Sequence, residues 1–497
     1  MKYIFLGTLL ILVIASILMK ATQPDAKSKV PVLYWSTDPN PARTIQIEVF
    51  QEWLKKNYSN EVDFVMKVDT VNSDASKVLI QGVSGVGSDI IGHCGGANMR
   101  FRQAVGILNP ITKIAKEMGF GLDKTFAVLA PDLSVDGEQY AFPLNVTTPQ
   151  LWVNVDVFNK YGMKAPPSRW SIEEFERIGK KLVSRANIVD GREVTPDKRV
   201  FLVPFLSASV LNRSKGVDEF NETLTACQTD NPTYIETLEL IFKWTEVDRL
   251  LPNAADRQAF STDAGYGGQS YQMFYTGNYA MLNSGRYALI QLREFNGGKG
   301  MNLKVVEFPN AGFPNTTIGT RAAAVYKGGK NIDLAYYFMQ YLASPEYNNT
   351  IIADADALPP NPEAMKTEEF LRPKKYPNEW GCHEAFANAA NNIAIPSAFS
   401  PFVLDNTVNL ERSRAEGEFK ASRITAEEAA AKLQRRVNSE IQIFLKENSH
   451  LMPEYEKRLK IQDQIDQYKK DGKKIPAEWI YNPFYKKYYK EKGMIKE

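Results

Sequence analysis

Val30-Pro-Val-Leu-Tyr-Trp35-Ser-Thr-Asp-Pro-Asn-Pro41 is the stretch from which the fold follows: an apolar run of single-strand length, stopped by a proline-punctuated loop with helix-start chemistry. Residues 44–57 come next, where Ile45, Ile47, Val49, Phe50, Trp53 and Leu54 form a helical stripe. Val62-Asp-Phe-Val-Met-Lys-Val68 then alternates as a strand, residues 73–81 suit a short helix, and Ser88-Asp-Ile-Ile91 suits a further strand. Such a βαβαβ opening predicts an α/β fold with a mostly parallel sheet, because parallel neighbours need a crossover and a helix is its usual form.

The alternation continues. Asp136-Gly-Glu-Gln-Tyr-Ala-Phe-Pro-Leu-Asn145 reads as a hairpin turn feeding a strand, and Gln150-Leu-Trp-Val-Asn154 as the next strand, with Trp152 more a core residue than a platform. After the Pro-rich loop 161–170, Ser171 with Glu174 predicts a capping box, and Phe175, Ile178 and Leu182 mark the buried face of its helix. Helices are also expected over 233–247 and 332–343, the latter with Leu334, Ala335, Phe338, Met339 and Leu342 on one side. In Tyr275-Thr-Gly-Asn-Tyr-Ala-Met-Leu-Asn-Ser-Gly-Arg-Tyr287, a Gly277 turn, a strand at 280–282 and a Ser284-Gly285 corner bring Arg286 and Tyr287 to a strand end. Strand ends of open α/β sheets are where ligands sit.

The 497 residues exceed what one core usually supports, so at least two domains are expected. A formal charge of +2 supplies no concentrated basic face and argues against nucleic acid as a partner. At the N-terminus, residues 3–19 are uncharged and apolar between Lys2 and Lys20. As a helix they reach about 26 Å, just short of the roughly 30 Å hydrocarbon core. They read either as a retained membrane anchor or as a cleaved leader, and both readings put the rest of the chain on the periplasmic or extracytoplasmic side.

Cys94, Cys227 and Cys382 are too few for a disulfide framework. His93-Cys94 and Cys382-His383 are adjacent pairs rather than pairs spaced by two to four residues, so zinc is not expected, and no metal or cofactor is assigned. The chain has no Gly-x-Ser-x-Gly elbow, Walker loop or His-Glu-x-x-His, and Gly82-Val-Ser-Gly-Val-Gly-Ser-Asp89 lacks the residues that would make it a phosphate cradle.

Taken in order, the motifs resemble the extracellular solute-binding proteins of ABC transporters, in the carbohydrate-binding family that includes maltose-binding protein. The resemblance rests on Trp35-x-x-Asp38, Gly87-Ser-Asp-Ile-Ile91, Asp136-Gly-x-x-Tyr140-Ala-x-Pro143, Val153-Asn-x-Asp-x-Phe158, Pro166-Pro-x-x-Trp170, Gly277-x-x-Ala-Met281-x-x-x-Gly285, Ile318-Gly-x-x-x-Ala-Val325 and Ile424-Thr-Ala-Glu-Glu-Ala-Ala430. It covers residues 30 to 448. Each motif is weak alone; their shared order carries the assignment.

The resemblance implies a two-lobed, periplasmic-binding-protein-like fold of type II, with discontinuous lobes and a ligand cleft at the hinge. One lobe would hold 30–143 and 318–356, the other 144–317 and 357–448, with 1–29 as leader or anchor and 449–497 as a basic, aromatic C-terminal extension. It also implies a protein that is not an enzyme, captures a sugar or oligosaccharide, and delivers it to ABC permease subunits by hinge closure. Carried over by position, the ligand-binding residues are Thr37, Asp38, Asp89, Asn145, Arg286, Tyr287, Gly319, Thr320 and Arg321, with Phe399 and Phe402 as aromatic platforms.

Each residue also has a plainer reading. Asp38 suits a helix N-cap, Asp89 an acceptor for loop amides, Arg286 a partner for a lobe carboxylate, and Tyr287, Phe399 and Phe402 the core. Arg286 with Arg321 would suit a polyol phosphate, although Asp38 and Asp89 argue against a strongly anionic ligand. An exported glycosidase is the enzymatic alternative, with Asp38 and Asp89 the only carboxylate pair on offer. A sensor partner using the same cleft is a third. The extension reads as an aromatic tail folded back on a lobe, or as a contact for anionic lipid or permease.

Overall fold

The structure is a computed structural model that describes residues 30–58, 63–70, 75–259 and 268–496. The segment 3–19, read above as anchor or leader, lies outside the described residues. No helix among those described is long and apolar enough to cross a membrane.

The opening forms as its pattern requires, with β1 (Val32–Ser36), α1 (Ala42–Tyr58), β2 (Val65–Asp69), α2 (Ala75–Val83) and β3 (Ile90–Ile91). β1 pairs in parallel with β2 on one side and β3 on the other. The sheet is nevertheless mixed. β4 (Ala141–Thr147) and the long β8 (Thr316–Val325) run antiparallel to each other, and β8 also runs antiparallel to β3. β4 enters from the predicted hairpin, whose turn places Asp136 and Gly137 at φ of 51° and 82°. Between those strands in sequence lies a separate antiparallel sheet, with β5 (Gln150–Asn154) flanked by β6 (Met281–Ser284) and β7 (Leu303–Val306).

Each sheet has its own core. α5 (Ile332–Leu342) buries Leu334, Ala335, Phe338, Met339 and Leu342 against the larger sheet, where the Phe338 ring meets Trp35 at 5.0 Å and Phe50 at 5.2 Å. Burying one such aromatic stabilises the fold by about 1.5–3 kcal/mol. Leu151, Val153, Phe175 and Leu182 build the core of the smaller sheet. There α3 (Ile172–Asn187) starts with the predicted capping box, Glu174 N donating to Ser171 Oγ and Ser171 N to the Glu174 carboxylate. Trp152 is fully buried, with its indole N–H on Gly285 O, as expected of a core residue.

β9 (Ala394–Pro396) returns alongside the start of β8, in parallel. The long helices α6 (Asp405–Lys420) and α7 (Ala426–Glu447) pack on α4 (Pro232–Phe242) of the middle chain, with the Phe242 and Phe419 rings 5.2 Å apart. The extension continues as α8 (Met452–Lys470), β10 (Ile475–Pro476), α9 (Pro483–Glu491) and β11 (Ile495–Lys496). It folds back: Phe484, Tyr485, Tyr489 and Ile465 share a core with Phe313 and Ile395 of the main body.

Candidate functional site

β8 is the spine of the site. Its pairing with β4 shifts register between Arg321 and Ala322, so Leu144 and Asn145 together oppose Arg321. Such a bulge re-aims a side chain at a strand's edge. Arg321 donates from Nη1 to Asp38 Oδ2 (2.8 Å) and from Nη2 to Asp38 Oδ1 (2.7 Å), a two-pronged pair, and reaches Thr37 Oγ1 at 3.3 Å. Arg43, from the first turn of α1, donates to Asp38 Oδ1 at 2.9 Å and to Asp356 Oδ2 at 2.8 Å, and Asn145 donates to Asp356 Oδ1 at 3.1 Å. Burial alone would push both carboxyls up, but Arg43 and Arg321 beside them hold Asp38 and Asp356 below the usual carboxylate range. The four charges sum to zero.

The loop after β3 faces this network. His93 stands in the left-handed region at φ 49°, a conformation uncommon for a residue with a side chain, and the loop is tied by Gly92 N to Ser36 O and by Arg102 to the carbonyls of Gly92 and His93. Gly95 lies so close to β8 that an added Cβ would stand 2.6 Å from Thr320 O. Burial, reinforced by Arg321, pushes the His93 imidazole down to about 4, so it is neutral at physiological pH. Its buried Nε2 has no hydrogen-bond partner among the described residues, and neither do Ser36 Oγ, Arg43 Nη2 or Arg321 Nε. Leaving such groups unpaired costs about 1–3 kcal/mol each, so the site is built for polar contacts beyond those the chain itself makes.

At the other end of β8, Thr317 lines a cavity of about 900 Å³ together with Phe205, Asn212, Arg213, Asp218, Phe399 and Arg412. Four residues separate Thr317 from Arg321, about 13 Å along a strand. Phe399 joins the two ends: it is half-buried, lines the cavity, and lies where a Cβ on Gly96 would come within 3.1 Å of its ring. Phe205 is 49 % exposed there. Of the cavity's cations, Arg213, Arg412 and Lys420 are again paired, while Arg257 is exposed and donates to Pro252 O. Arg213 Nε donates to Asp218 Oδ1 at 3.0 Å, and Arg412 to Glu219 Oε2 at 2.5 Å. The extension reaches this wall, where Asn482 Nδ2 donates to Asp218 Oδ2 at 3.0 Å and Tyr485 OH accepts from Asp218 N.

Thr37, Asp38, Asn145, Thr320 and Arg321 therefore come together, Thr320 through its hydroxyl on Asn145 O at 2.8 Å. Gly319 borders open space, since a Cβ there would meet nothing within 4 Å. Asp38 does not cap α1; Asn40 Oδ1 accepts from Ala42 N instead. Tyr287 is half-buried against Gly285, where an added Cβ would press on both the Tyr287 ring and Thr147 Oγ1.

Three expectations are corrected. Asp89, expected as a ligand contact, stands just before β3 with both its oxygens taken, by Tyr34 N and by the amides of Lys330 and Asn331. Arg286 is 1 % exposed and spends its donors on Ile352 O, Ala357 O, Ile351 O and His383 Nδ1, beneath the Phe370 ring, where burial and nearby Arg293 push it down to about 9. It locks a junction instead of meeting a ligand. Phe402 is fully buried, edge-on to Tyr455. Sequence reasoning missed Arg43, His93 and Asp356. Arg43 falls between the opening loop and the expected helix 44–57 and belongs to no motif, His93 stands out only as the neighbour of a cysteine, and Asp356 lies 313 residues from the arginine it pairs with.

Comparison with known proteins agrees with this architecture. The sequence pattern of the bacterial extracellular solute-binding protein family matches residues 38–349. The sn-glycerol-3-phosphate-binding periplasmic protein of Pectobacterium atrosepticum is 26% identical over 255 residues, 48% of this chain and 53% of that protein, so the match spans about half the relative's length. Among solved structures, the ABC substrate-binding protein Lmo0181 from Listeria monocytogenes in complex with cycloalternan superposes with a TM-score of 0.67 at 18% identity, covering 82% of this chain and 98% of that one. The maltose/maltodextrin-binding domain MalE from Bdellovibrio bacteriovorus bound to maltotriose gives 0.63 at 16% identity, covering 83% and 100%. The fold is thus the two-lobed one of these binding proteins, and the chain belongs to the bacterial extracellular solute-binding protein family.

Proposed function

We propose that this protein captures a neutral sugar or oligosaccharide between its two lobes and presents it to an ABC permease by closing about the hinge. The observation that carries this reading is the balance of charge. Arg43 and Arg321 are matched by Asp38 and Asp356, Arg213 by Asp218 and Arg412 by Glu219. At these four arginines an anionic ligand would have to displace a carboxylate, whereas sugar hydroxyls can use the remaining donors and acceptors, the exposed Arg257 of the cavity included. Phe205 and Phe399 offer faces for the C–H surface of a pyranose ring. The cavity of about 900 Å³, whose lining falls within 144–317 and 357–448, is at the upper end of the range for small-molecule sites and would supply that lobe's half of the cleft with room for more than one sugar ring.

The lobes are divided as the resemblance implies, 30–143 with 318–356 and 144–317 with 357–448, and the ligand contacts are Thr37, Asp38, Asn145, Tyr287, Gly319, Thr320, Arg321 and Phe399, joined by His93. The segment 3–19 directs the chain out of the cytoplasm and, if retained, tethers it. An enzymatic role has little support: Asp89 is occupied by backbone amides, and Asp38, held ionised by two arginines, is unsuited to act as a general acid. The relative from Pectobacterium favours one second reading, sn-glycerol 3-phosphate as ligand.

Thermal shift with maltotriose, shorter neutral sugars and sn-glycerol 3-phosphate separates the two. Ligand at 100 times its Kd adds about 2.7 kcal/mol of stability. A shift with a neutral saccharide that Arg321→Ala abolishes is the expected result. A shift with sn-glycerol 3-phosphate alone overturns the neutral-sugar reading.

A further inference from the structure

The far end of the C-terminal extension is a compact cationic platform. The C-termini of α8 and α9 are brought together by β10 and β11, which pair in parallel with Ile475 opposite Ile495 and Pro476 opposite Lys496. Lys470, Lys473, Lys474, Lys490, Lys492 and Lys496 are all exposed at this end, against Asp471, Glu478 and Glu491 in residues 471–496. Lys473 is partly neutralised by Asp471 at 2.8 Å, and Lys490 also has a partner. Like charges gather here at some electrostatic cost, only partly offset by the two helix C-termini they cap.

The kind of cation matters. All ten basic residues after Arg458 are lysine, with no arginine. No large apolar side chain is among the strongly exposed ones beyond Leu459. Protein interfaces are anchored by buried aromatics and arginine and are depleted in lysine. A strongly hydrated ammonium on a flexible stem, with no shape-defining anchor, suits a surface whose charge is diffuse and fluid. Half-buried rings lie just beneath: Trp479 packs at a tilt against Tyr468, centroids 5.2 Å apart, and Lys473 and Lys492 lie over Tyr468 and Tyr488 at 5.7 Å and 5.6 Å. Tryptophan and tyrosine with lysine are the side chains enriched at a membrane–water interface.

We propose that this lysine platform docks the protein on an anionic phospholipid surface. It is pre-formed, because Ile465, Ile475, Phe484 and Tyr489 pin it to the main body, so docking orders little of the backbone. The contact is peripheral and electrostatic, reversible, and separate from any insertion by residues 3–19. It would hold the extension against the membrane while leaving the hinge free to work.

The test is sedimentation of the full chain with vesicles of pure phosphatidylcholine and with vesicles of three parts phosphatidylcholine to one part phosphatidylglycerol. Binding to the neutral vesicles measures what the N-terminal segment does alone; the increment on the anionic ones measures the platform. The triple variant Lys470→Gln, Lys474→Gln and Lys496→Gln is expected to weaken that increment about 100-fold, at about 1 kcal/mol per lysine near the surface. Raising the salt to about 1 M, where the screening length is about 3 Å, is expected to abolish it in the unaltered chain. A matched variant at exposed lysines elsewhere, Lys55→Gln, Lys113→Gln and Lys116→Gln, is expected to leave it unchanged. No increment on anionic vesicles, an increment that survives salt, or an equal loss in both triple variants overturns the proposal, the first pointing to an acidic protein surface instead.

Discussion

Two arginine–aspartate couples lie at opposite ends of the site, and they are built differently. Arg43 and Arg321 grip Asp38 and Asp356 within the larger sheet and its helices, with partners drawn from the family-matched part of the chain and from residues just beyond it. Arg213 and Asp218 form the second couple, but their geometry is completed from outside: Asn482, Tyr485 and the Phe484 ring all belong to the extension. The same chemistry is self-contained at one end and braced at the other. The extension therefore braces the cavity wall from behind and is not an appendage, and disturbing it should reach the cavity without touching the Asp38 network.

The self-contained couple should show the largest effect. In Asp356→Ala, Arg43 stays 3 % exposed with one carboxylate gone and Asn145 loses its acceptor. A loss of about 3–5 kcal/mol in urea-denaturation stability is expected, the cost of stranding a buried charge. At the braced end, Glu222 is the bolt. It is 1 % exposed and accepts from Lys469 at 2.7 Å, Gln462 at 2.8 Å and Tyr489 at 2.5 Å. Glu222→Gln keeps the shape but turns a donor towards donors, and a loss of about 2–3 kcal/mol is expected, less than for Asp356 because Lys469 is 38 % exposed. Hydrogen exchange should rise in residues 216–229 and 475–496 while residues 37–43 keep their protection. Equal loosening at both ends would erase the distinction.

Asn482 sharpens it further. Its Oδ1 caps α9 by accepting from Phe484 N, and its Nδ2 holds Asp218. Asn482→Ala should cost about 2 kcal/mol by removing both. Asn482→Ser keeps a cap of equal rank but is too short to reach Asp218, so its remaining loss of about 1 kcal/mol measures the brace alone. Should the serine variant be as stable as the unaltered protein, Asp218 does not depend on the extension.

Much of this was legible in the sequence where local pattern decides. The opening β1–β3, the buried face of α5, the Ser171 capping box and the strand 150–154 all follow from periodicity and cap chemistry, which tertiary context here reinforces. The site was legible only where a residue sat on a turn or crossing that the resemblance itself marks, as Thr37, Asp38, Asn145 and Arg321 do. Arg286 shows why the rest was not: a Gly-Arg corner at a strand end can turn its guanidinium outward to a ligand or inward onto carbonyls. The choice was made by residues 351–357, more than sixty positions away, whose carbonyls sequence spacing does not reveal. Asp89 failed for a related reason: β3 is only Ile90–Ile91, two residues shorter at its start than the expected 88–91, so Asp89 stands before the strand, where the amides of Tyr34, Lys330 and Asn331 take its oxygens.

Between the two couples stands a charge that the fold leaves without a close partner. Asp132 is 5 % exposed beside Gly96 and Phe399, and among the described residues no ion pair reaches it. Burial pushes its carboxyl up to about 7, only partly countered by Arg100. Because the folded value is raised above the ordinary 3.8, the folded state holds its proton more tightly than the unfolded chain. The stability this supplies is fully present below about pH 4 and is lost as pH rises through 7. Asp132→Asn removes the titration, so the variant should match the unaltered protein in acid and exceed it above pH 7. A gain of about 1 kcal/mol is expected once relaxation and water entry discount the burial cost. The measurement is chemical denaturation of both proteins from pH 4 to pH 8. A stability difference that does not change over that range would mean Asp132 is paired after all, and the contrast would then be between two braced ends rather than two couples and a lone charge.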